Sequence, residues 1–246
     1  MSAAPVAAVL VGASGRMGRA LREAVNPARL RWVGAIVSPD SRALGTEFVP
    51  GLRHSSDLAA VLPDAQVVLD FSRAEAIATT LAACRGARRA LLLGTTGYEA
   101  SLERDFIAAA RDIPLLIAPN TSLGVAVFLE LAASAARSLP GHALAVREVH
   151  HAGKRDAPSG TARALAAALR QVRPGAEVPI ESVRAGEAAG EHRLRLAGPD
   201  ETLELTHRAL DRGLFARGAV TAALWLASQP PGRYGMRDVL FGKTAG

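Results

Sequence analysis

At 246 residues, 49% hydrophobic and 21% charged, the chain is long enough for one large or two modest domains and too apolar to be disordered. A net charge of +6 invites a nucleic-acid partner, but the arginines are scattered and only 4% of residues are aromatic, so nothing resembles a basic patch interleaved with stacking rings. The single cysteine, Cys84, excludes an intrachain disulfide and argues against a cysteine-built metal site.

No twenty-residue apolar run and no signal-like segment is present, which predicts a cytoplasmic protein with no membrane partner. An anionic cofactor or substrate accounts for the positive surplus as well as a nucleic acid does.

In chain order, Pro5 to Val11 is a short apolar run, as expected of a strand buried on both faces. G-A-S-G-R-M-G follows, with glycines at 12, 15 and 18, and then a helical run from Arg19 to Val25. Gly12 permits the tight turn, Gly15 lets backbone approach a pyrophosphate, and Gly18 lets the helix lie close to the strand. Ser14 stands where the commoner dinucleotide fingerprint has its middle glycine.

The second strand, Leu30 to Val37, ends at Ser38, Pro39, Asp40 and Arg42. An acid there selects NAD through the ribose 2′-OH, and an arginine accepts a 2′-phosphate. Serine does not repel a phosphate, and Arg16 and Arg42 are near in sequence, which favours NADPH with NADH tolerated; Asp40 argues the other way.

Val67 to Phe71, Ala90 to Leu93 and Leu115 to Ala118 are further buried strands. They run into Ser72, into G-T-T-G (94–97) and into P-N-T-S-L-G (119–124), with helices over Glu75 to Cys84, Ser101 to Ala110 and Val125 to Ala136. Singly, each of these loops is an ordinary connection. Together they are better explained by one crevice at the carboxyl edge of an open parallel sheet.

The densest chemistry lies between Glu148 and Ala162, E-V-H-H-A-G-K-R-D-A-P-S-G-T-A. An alternating run (Leu144, Val146) leads into it and a helical run (Ala162 to Leu169) leaves it. The helix entry therefore offers unpaired N–H groups to an anion, Pro158 is tolerated there, and Ser159 or Thr161 is the candidate cap. Lys154 is one of only two lysines, with Lys243, among 29 basic residues, which points to a compact or titratable ammonium. The plainer alternative is a solvated charged loop over one packed histidine.

Beyond it, Pro179 to Arg184, Glu191 to Leu196 and Thr202 to Thr206 alternate like strands, bounded by Ala-Gly-Glu and Gly-Pro-Asp turns. They predict an antiparallel or mixed sheet in a second α+β domain. Leu214 to Ser228 reads as a helix, Pro230-Pro231-Gly232 as a break, and Met236 to Phe241 as a return to the first domain.

V-G-A-S-G-R-M-G, L-D-F-S, G-T-T-G, A-P-N-T-S-L-G-V, the His-His-x-x-Lys-x-Asp-x-Pro-Ser-Gly-Thr run, V-R-A-G-E-A-A-G-E-H, F-A-R-G-A-V-T-A-A-L-W-L and Y-G-M-R-D-V-L follow one another in an order that resembles the 4-hydroxy-tetrahydrodipicolinate (dihydrodipicolinate) reductases. The resemblance implies an α/β fold: a Rossmann-type dinucleotide-binding domain, 1–121 and 211–246, with an inserted α+β substrate and oligomerisation domain, 122–210. It implies NAD(P)H-dependent reduction of a small dicarboxylate in lysine and diaminopimelate synthesis, and a homo-oligomer, with a tetramer favoured.

By the same resemblance, Gly12, Ala13, Ser14, Gly15, Arg16, Met17, Gly94, Thr95, Thr96, Ala118, Pro119, Asn120 and Thr121 contact the cofactor; Ser38, from its place at the end of the second strand, is the candidate at the ribose. His150 corresponds to the catalytic acid and Lys154 to the catalytic lysine, while His151, Gly160 and Thr161 correspond to substrate contacts.

The residue types suit that chemistry. Conjugate addition of hydride to the cyclic imine leaves an enamine-like carbanion equivalent, which an imidazolium can protonate near neutral pH. Lys154 and the N–H groups of Ser159, Gly160 and Thr161 can hold carboxylate oxygens. The nicotinamide carries the reducing power, so no metal is required. Two departures stand out: Ala152 and Gly153 replace an arginine and a polar residue, and the stretch between Gly175 and Val183 is shorter than usual in the family. Other readings are a related imine or amino-acid dehydrogenase acting on another dicarboxylate, and a nucleotide-binding sensor without activity; the intact His150 and Lys154 argue against the sensor.

Overall fold

The computed structural model describes residues 4–186 and 190–242. In chain order its elements are β1 (Val6–Val11), α1 (Arg16–Ala24), β2 (Leu30–Ile36), β3 (Glu47–Val49), β4 (Leu52–Ser55), α2 (Leu58–Val61), β5 (Val67–Asp70), α3 (Ile77–Gly86), β6 (Ala90–Leu93), α4 (Glu103–Ala109) and β7 (Pro114–Ile117). They continue as α5 (Leu123–Ser138), β8 (Ala143–His150), α6 (Gly160–Val172), β9 (Ile180–Arg184), β10 (Glu191–Ala197), β11 (Thr202–Arg208), α7 (Gly213–Leu226), β12 (Gly232–Tyr234) and α8 (Met236–Phe241). The chain divides into two compact units, residues 1–121 with 215–246, and residues 122–214.

The first unit is built on a sheet of order β12-β7-β6-β5-β1-β2-β4-β3, parallel throughout except where β3 runs against β4. This is a Rossmann-type α/β arrangement. Its central strands carry unbroken apolar runs because helices cover both faces: β5 and β6 are buried at every position. Strand order reverses at β1, which has β2 on one side and β5 on the other, and the loops leaving such strands are where open parallel sheets place their ligands. Cys84 belongs to this core, and burial pushes its thiol up to about 12, so it is inert.

The β3–β4 hairpin and the edge strand β12 go beyond the elements expected from sequence. β3 is three residues long, too short for an alternation to register, and its fixing contacts are tertiary: Phe48 packs edge-on against Trp32 and His54, at 6.0 and 5.3 Å between ring centres. The Pro-Pro-Gly break runs directly into β12, which pairs parallel to β7 at the sheet's edge, where prolines at the strand entry do no harm.

The second unit places α5 and α6 on one face of a mixed sheet, β11-β10-β8-β9, in which only β8 and β9 are parallel. Two-residue alternation along β8 sends Leu144 and Val146 inward and Ala143, Ala145 and Arg147 outward. Leu194 and Leu196 of β10 meet them, and Leu165 and Leu169 of α6 close the core, all four without exposure. Each such leucine contributes about 1.5–3 kcal/mol, enough to offset the cost of polar groups buried on the same sheet face. Glu187, from the Ala-Gly-Glu turn expected ahead of β10, lies outside the described residues. Among the described residues no helix is long and apolar enough to cross a membrane.

Candidate active site

In the first unit the residues expected at a cofactor all lie just beyond strand ends: Gly12 to Met17 after β1, Ser38 after β2, Gly94 to Thr96 after β6, and Ala118 to Thr121 after β7. Their roles in the structure differ. Gly12 has φ +84°, and a Cβ there would stand 2.4 Å from the Phe71 carbonyl oxygen. At Gly18 a Cβ would stand 2.4 Å from the Ala13 carbonyl oxygen, so the glycine lets α1 lie against the loop. Gly94 leaves room for the Phe71 ring, 2.1 Å from where its Cβ would be.

Gly15, Ser14 and Arg16 are exposed. Gly15 begins α1 without a side-chain cap, and no acidic residue occupies the helix's first turn. Such a cradle of backbone N–H groups facing an uncovered surface fits a pyrophosphate.

Thr95 and Thr121 are turned inward. The Thr95 hydroxyl donates to the buried Asp70 carboxylate at 2.9 Å and accepts from the Ser72 N–H at 2.9 Å. The Thr121 hydroxyl donates to the Phe215 carbonyl at 2.7 Å. At the end of β2, the Ser38 side chain hydrogen-bonds the exposed Asp40 carboxylate, the main cause of Asp40's lowered pKa, to which Arg73 adds a smaller effect.

In the second unit the inward face of the sheet changes character along its length. The layers of Leu144, Leu196 and Leu203, then Val146, Leu194, Leu205 and Ile180, give way to Glu148, Ser182, His192 and His207 side by side across four strands. One step further are His150 and, beside it on β9, Arg184. Glu148 is fully buried, His192 is 4% exposed and His150 is 8% exposed.

One carboxylate oxygen of Glu148 receives His150 Nδ1 in a short hydrogen bond. The other accepts from Arg184 Nη2 at 2.8 Å and from the Ser159 N–H at 3.3 Å. Burial pushes the Glu148 carboxyl up, but Arg184, the neighbouring Ser182 hydroxyl and His150 outweigh it and hold the pKa at about 2. For His150, burial is the largest influence and lowers the pKa, Glu148 pulls it back up, and Lys154 and Arg184 lower it further; the net shift is downward.

Ser159 caps α6: its Oγ accepts from the Ala162 N–H at 3.2 Å and shares a hydrogen bond with His192 Nε2 at 3.1 Å. Burial, with His150 beside it, lowers the His192 pKa to about 4. The rings of His150 and His192 stand edge to face with centres 5.1 Å apart. Ligand atoms of Glu148, His150 and His192 lie within 4.8 Å of one another, a spacing that suits a metal ion, but the cation against this carboxylate is the Arg184 guanidinium.

Lys154 extends from the loop after β8, and its Nζ contacts Asp156 at 2.6 Å, which lowers the Asp156 pKa. His151 is half-buried at the head of that loop. Ser159, included with Gly160 and Thr161 as an anion contact, has its N–H and hydroxyl committed internally, while Gly160 is exposed and Thr161 half-buried.

The structure thus brings His150, Ser159 and the start of α6 together around Glu148, a residue given no role from sequence. A carboxylate two residues before a histidine on an alternating strand was the available signal. Arg184 and His192 gave none, because only strand pairing brings them to His150.

Residues 6–121 match the family described as "Dihydrodipicolinate reductase, N-terminus", and residues 124–240 the one described as "Dihydrodipicolinate reductase, C-terminus". A 4-hydroxy-tetrahydrodipicolinate reductase of Xanthomonas campestris pv. campestris is 43% identical, with 98% of this chain and all of that protein aligned. One from Alkalilimnicola ehrlichii is 42% identical over 94% of this chain and 97% of its own. The fold is shared with dipicolinate-bound dihydrodipicolinate reductase from Paenisporosarcina sp. TG-14, at a TM-score of 0.84 and 22% identity over 96% of this chain and all of that one.

Proposed function

This chain belongs to the dihydrodipicolinate reductase family, and we propose how its own residues carry out that family's reaction. The reaction is the NAD(P)H-dependent reduction of 4-hydroxy-tetrahydrodipicolinate to tetrahydrodipicolinate in lysine and diaminopimelate biosynthesis. NAD(P)H, when bound, supplies the hydride.

The loops after β1, β6 and β7 hold the cofactor, with the α1 N-terminus facing its pyrophosphate. His150 gives the proton to the carbon left electron-rich by reduction. Lys154 and the amides of Gly160 and Thr161 hold the substrate's carboxylates, with His151 beside them, and fix the ring for attack. The observation that carries this reading is the stretch from His150 to Thr161. Within a dozen residues it joins a carboxylate-tethered imidazole, an ammonium and a capped helix start.

NADPH is the preferred cofactor and NADH is also accepted. Asp40 is engaged by Ser38, and Arg73 joins Arg16 and Arg42 as a cation available to a 2′-phosphate. The enzyme assembles as a homotetramer through the outward face of the second sheet, where Ala143, Ala145, Arg147 and Arg195 are exposed opposite the helices. It works in the cytoplasm on a small dicarboxylate.

A coupled assay tests the activity: dihydrodipicolinate synthase product is mixed with this protein, and loss of nicotinamide absorbance is followed with NADPH and NADH side by side. Turnover with NADPH at least as fast as with NADH is expected. A folded protein that oxidises neither would overturn the assignment.

A further inference from the structure

We propose that Glu148 is the positioning residue of the proton donor, fixing the tautomer of His150 and keeping the imidazole chargeable in a field of cations. The inference rests on His150 being the donor and concerns what makes it one.

The geometry sets the tautomer. Glu148 is ionised, so its oxygen can only accept, and His150 Nδ1 must carry the proton between them. Proton exchange with a substrate is thereby left to Nε2. That edge of the ring runs along Gly190, where a Cβ would stand 3.0 Å from Nε2, so the glycine keeps a side chain at position 190 off the nitrogen. A carboxylate behind a histidine fixes the reactive nitrogen and stabilises the imidazolium in the same way in other catalytic sites.

The surrounding charges explain why the carboxylate is needed. His150 faces Glu148 from its own strand, Lys154 from the following loop, Arg184 from β9 and His192 from β10, with His207 beyond His192. Lys154, Arg184 and burial all disfavour a proton on the ring; Glu148 alone among these groups favours one. Without it, every remaining influence would lower the proton affinity of the ring further.

A structural ion pair with Arg184 does not account for the arrangement, because that pair and the Ser159 N–H use one oxygen and His150 has the other. The same carboxylate thus ties the acid to the first turn of α6. That fixes the proton donor relative to the substrate's anion cradle.

The test compares wild type, E148Q, E148D and H150Q across pH, alongside nitrogen-15 NMR of histidine-labelled protein. Wild type should hold His150 as the Nδ1–H tautomer when neutral. E148Q should lose roughly 10–10²-fold in kcat, as is common when a histidine's orienting carboxylate is removed, with NADPH affinity unchanged. The high-pH fall of its kcat/KM should move to lower pH, and E148D should bring that limb partly back.

A wild-type His150 protonated at Nε2, or an E148Q profile that drops in height without moving, would overturn the proposal. If E148Q does not fold, the wild-type tautomer alone decides. H150Q separates the two levels: full activity there removes His150 as the acid. A slow H150Q beside an unmoved E148Q limb removes only the role given to Glu148.

Discussion

The sheet edge of the first unit and the polar end of the second unit's sheet meet opposite demands. At the first, shape is made by leaving side chains out: Gly12, Gly18 and Gly94 each stand where a Cβ would fall within 2.4 Å of a neighbouring atom. At the second, the space is filled with groups whose charges depend on one another: Glu148, His150, Arg184 and His192. Backbone amides that cradle an anion do not titrate, so a loop of this kind, in the cofactor role proposed for it, tolerates pH but no added methyl group. A proton donor has to titrate, so its surroundings tolerate small changes of shape but not the loss of a charge.

The hardest test of that division is His150→Ala. It should slow turnover by roughly 10²–10⁴-fold, the usual worth of a general acid, while the NADPH dissociation constant from fluorescence titration stays at its wild-type value. A near-normal rate would take chemistry away from the second unit. Lys154→Ala should raise KM for the dicarboxylate by about 10–10²-fold, in keeping with a charged hydrogen bond lost; equal weakening of cofactor binding would blur the contrast.

Gly12→Ala should do the reverse. Strain at φ +84° and the contact with Phe71 should cost about 1–3 kcal/mol in urea unfolding and weaken the cofactor, with the pH profile unaltered. A shifted profile would couple the two regions.

The smallest effect is the acid response. Glu148, at about 2 in the folded chain against an ordinary 4.5, lends stability that is complete above 4.5 and lost only as pH falls through about 2. His192, lowered to about 4 from 6.5, gives the milder window: between those values the unfolded chain takes the proton and the folded one does not. Stability should fall by about 1–3 kcal/mol as pH drops from 6.5 to 4. His207 and His150, also lowered, act in the same direction. Urea midpoints read across that range should flatten in His192→Gln, and a flat wild-type curve would contradict a neutral buried His192.

Much of this was legible from the chain. The first unit's central strands were readable because burial on both faces demands unbroken apolar runs, and its glycine loop because a left-handed turn and a close helix each require a missing Cβ. The alternation in β8, β10 and β11 was legible because one face is packed and the other open. Local spacing also singled out His150, Lys154 and the Ser-Gly-Thr turn.

Tertiary structure decided the rest. Which strand lies beside β8 determines that Arg184 and His192 meet His150, and no local pattern encodes a neighbour thirty or forty residues away. Ser159 was readable as a cap, but its partnership with Glu148 and His192 depends on the same pairing. Sequence specified the kinds of groups and the faces they occupy, because those follow from short-range periodicity and sterics. Their charges and tautomers came from the fold, because electrostatic fields and hydrogen bonds act through space between residues that the chain keeps far apart.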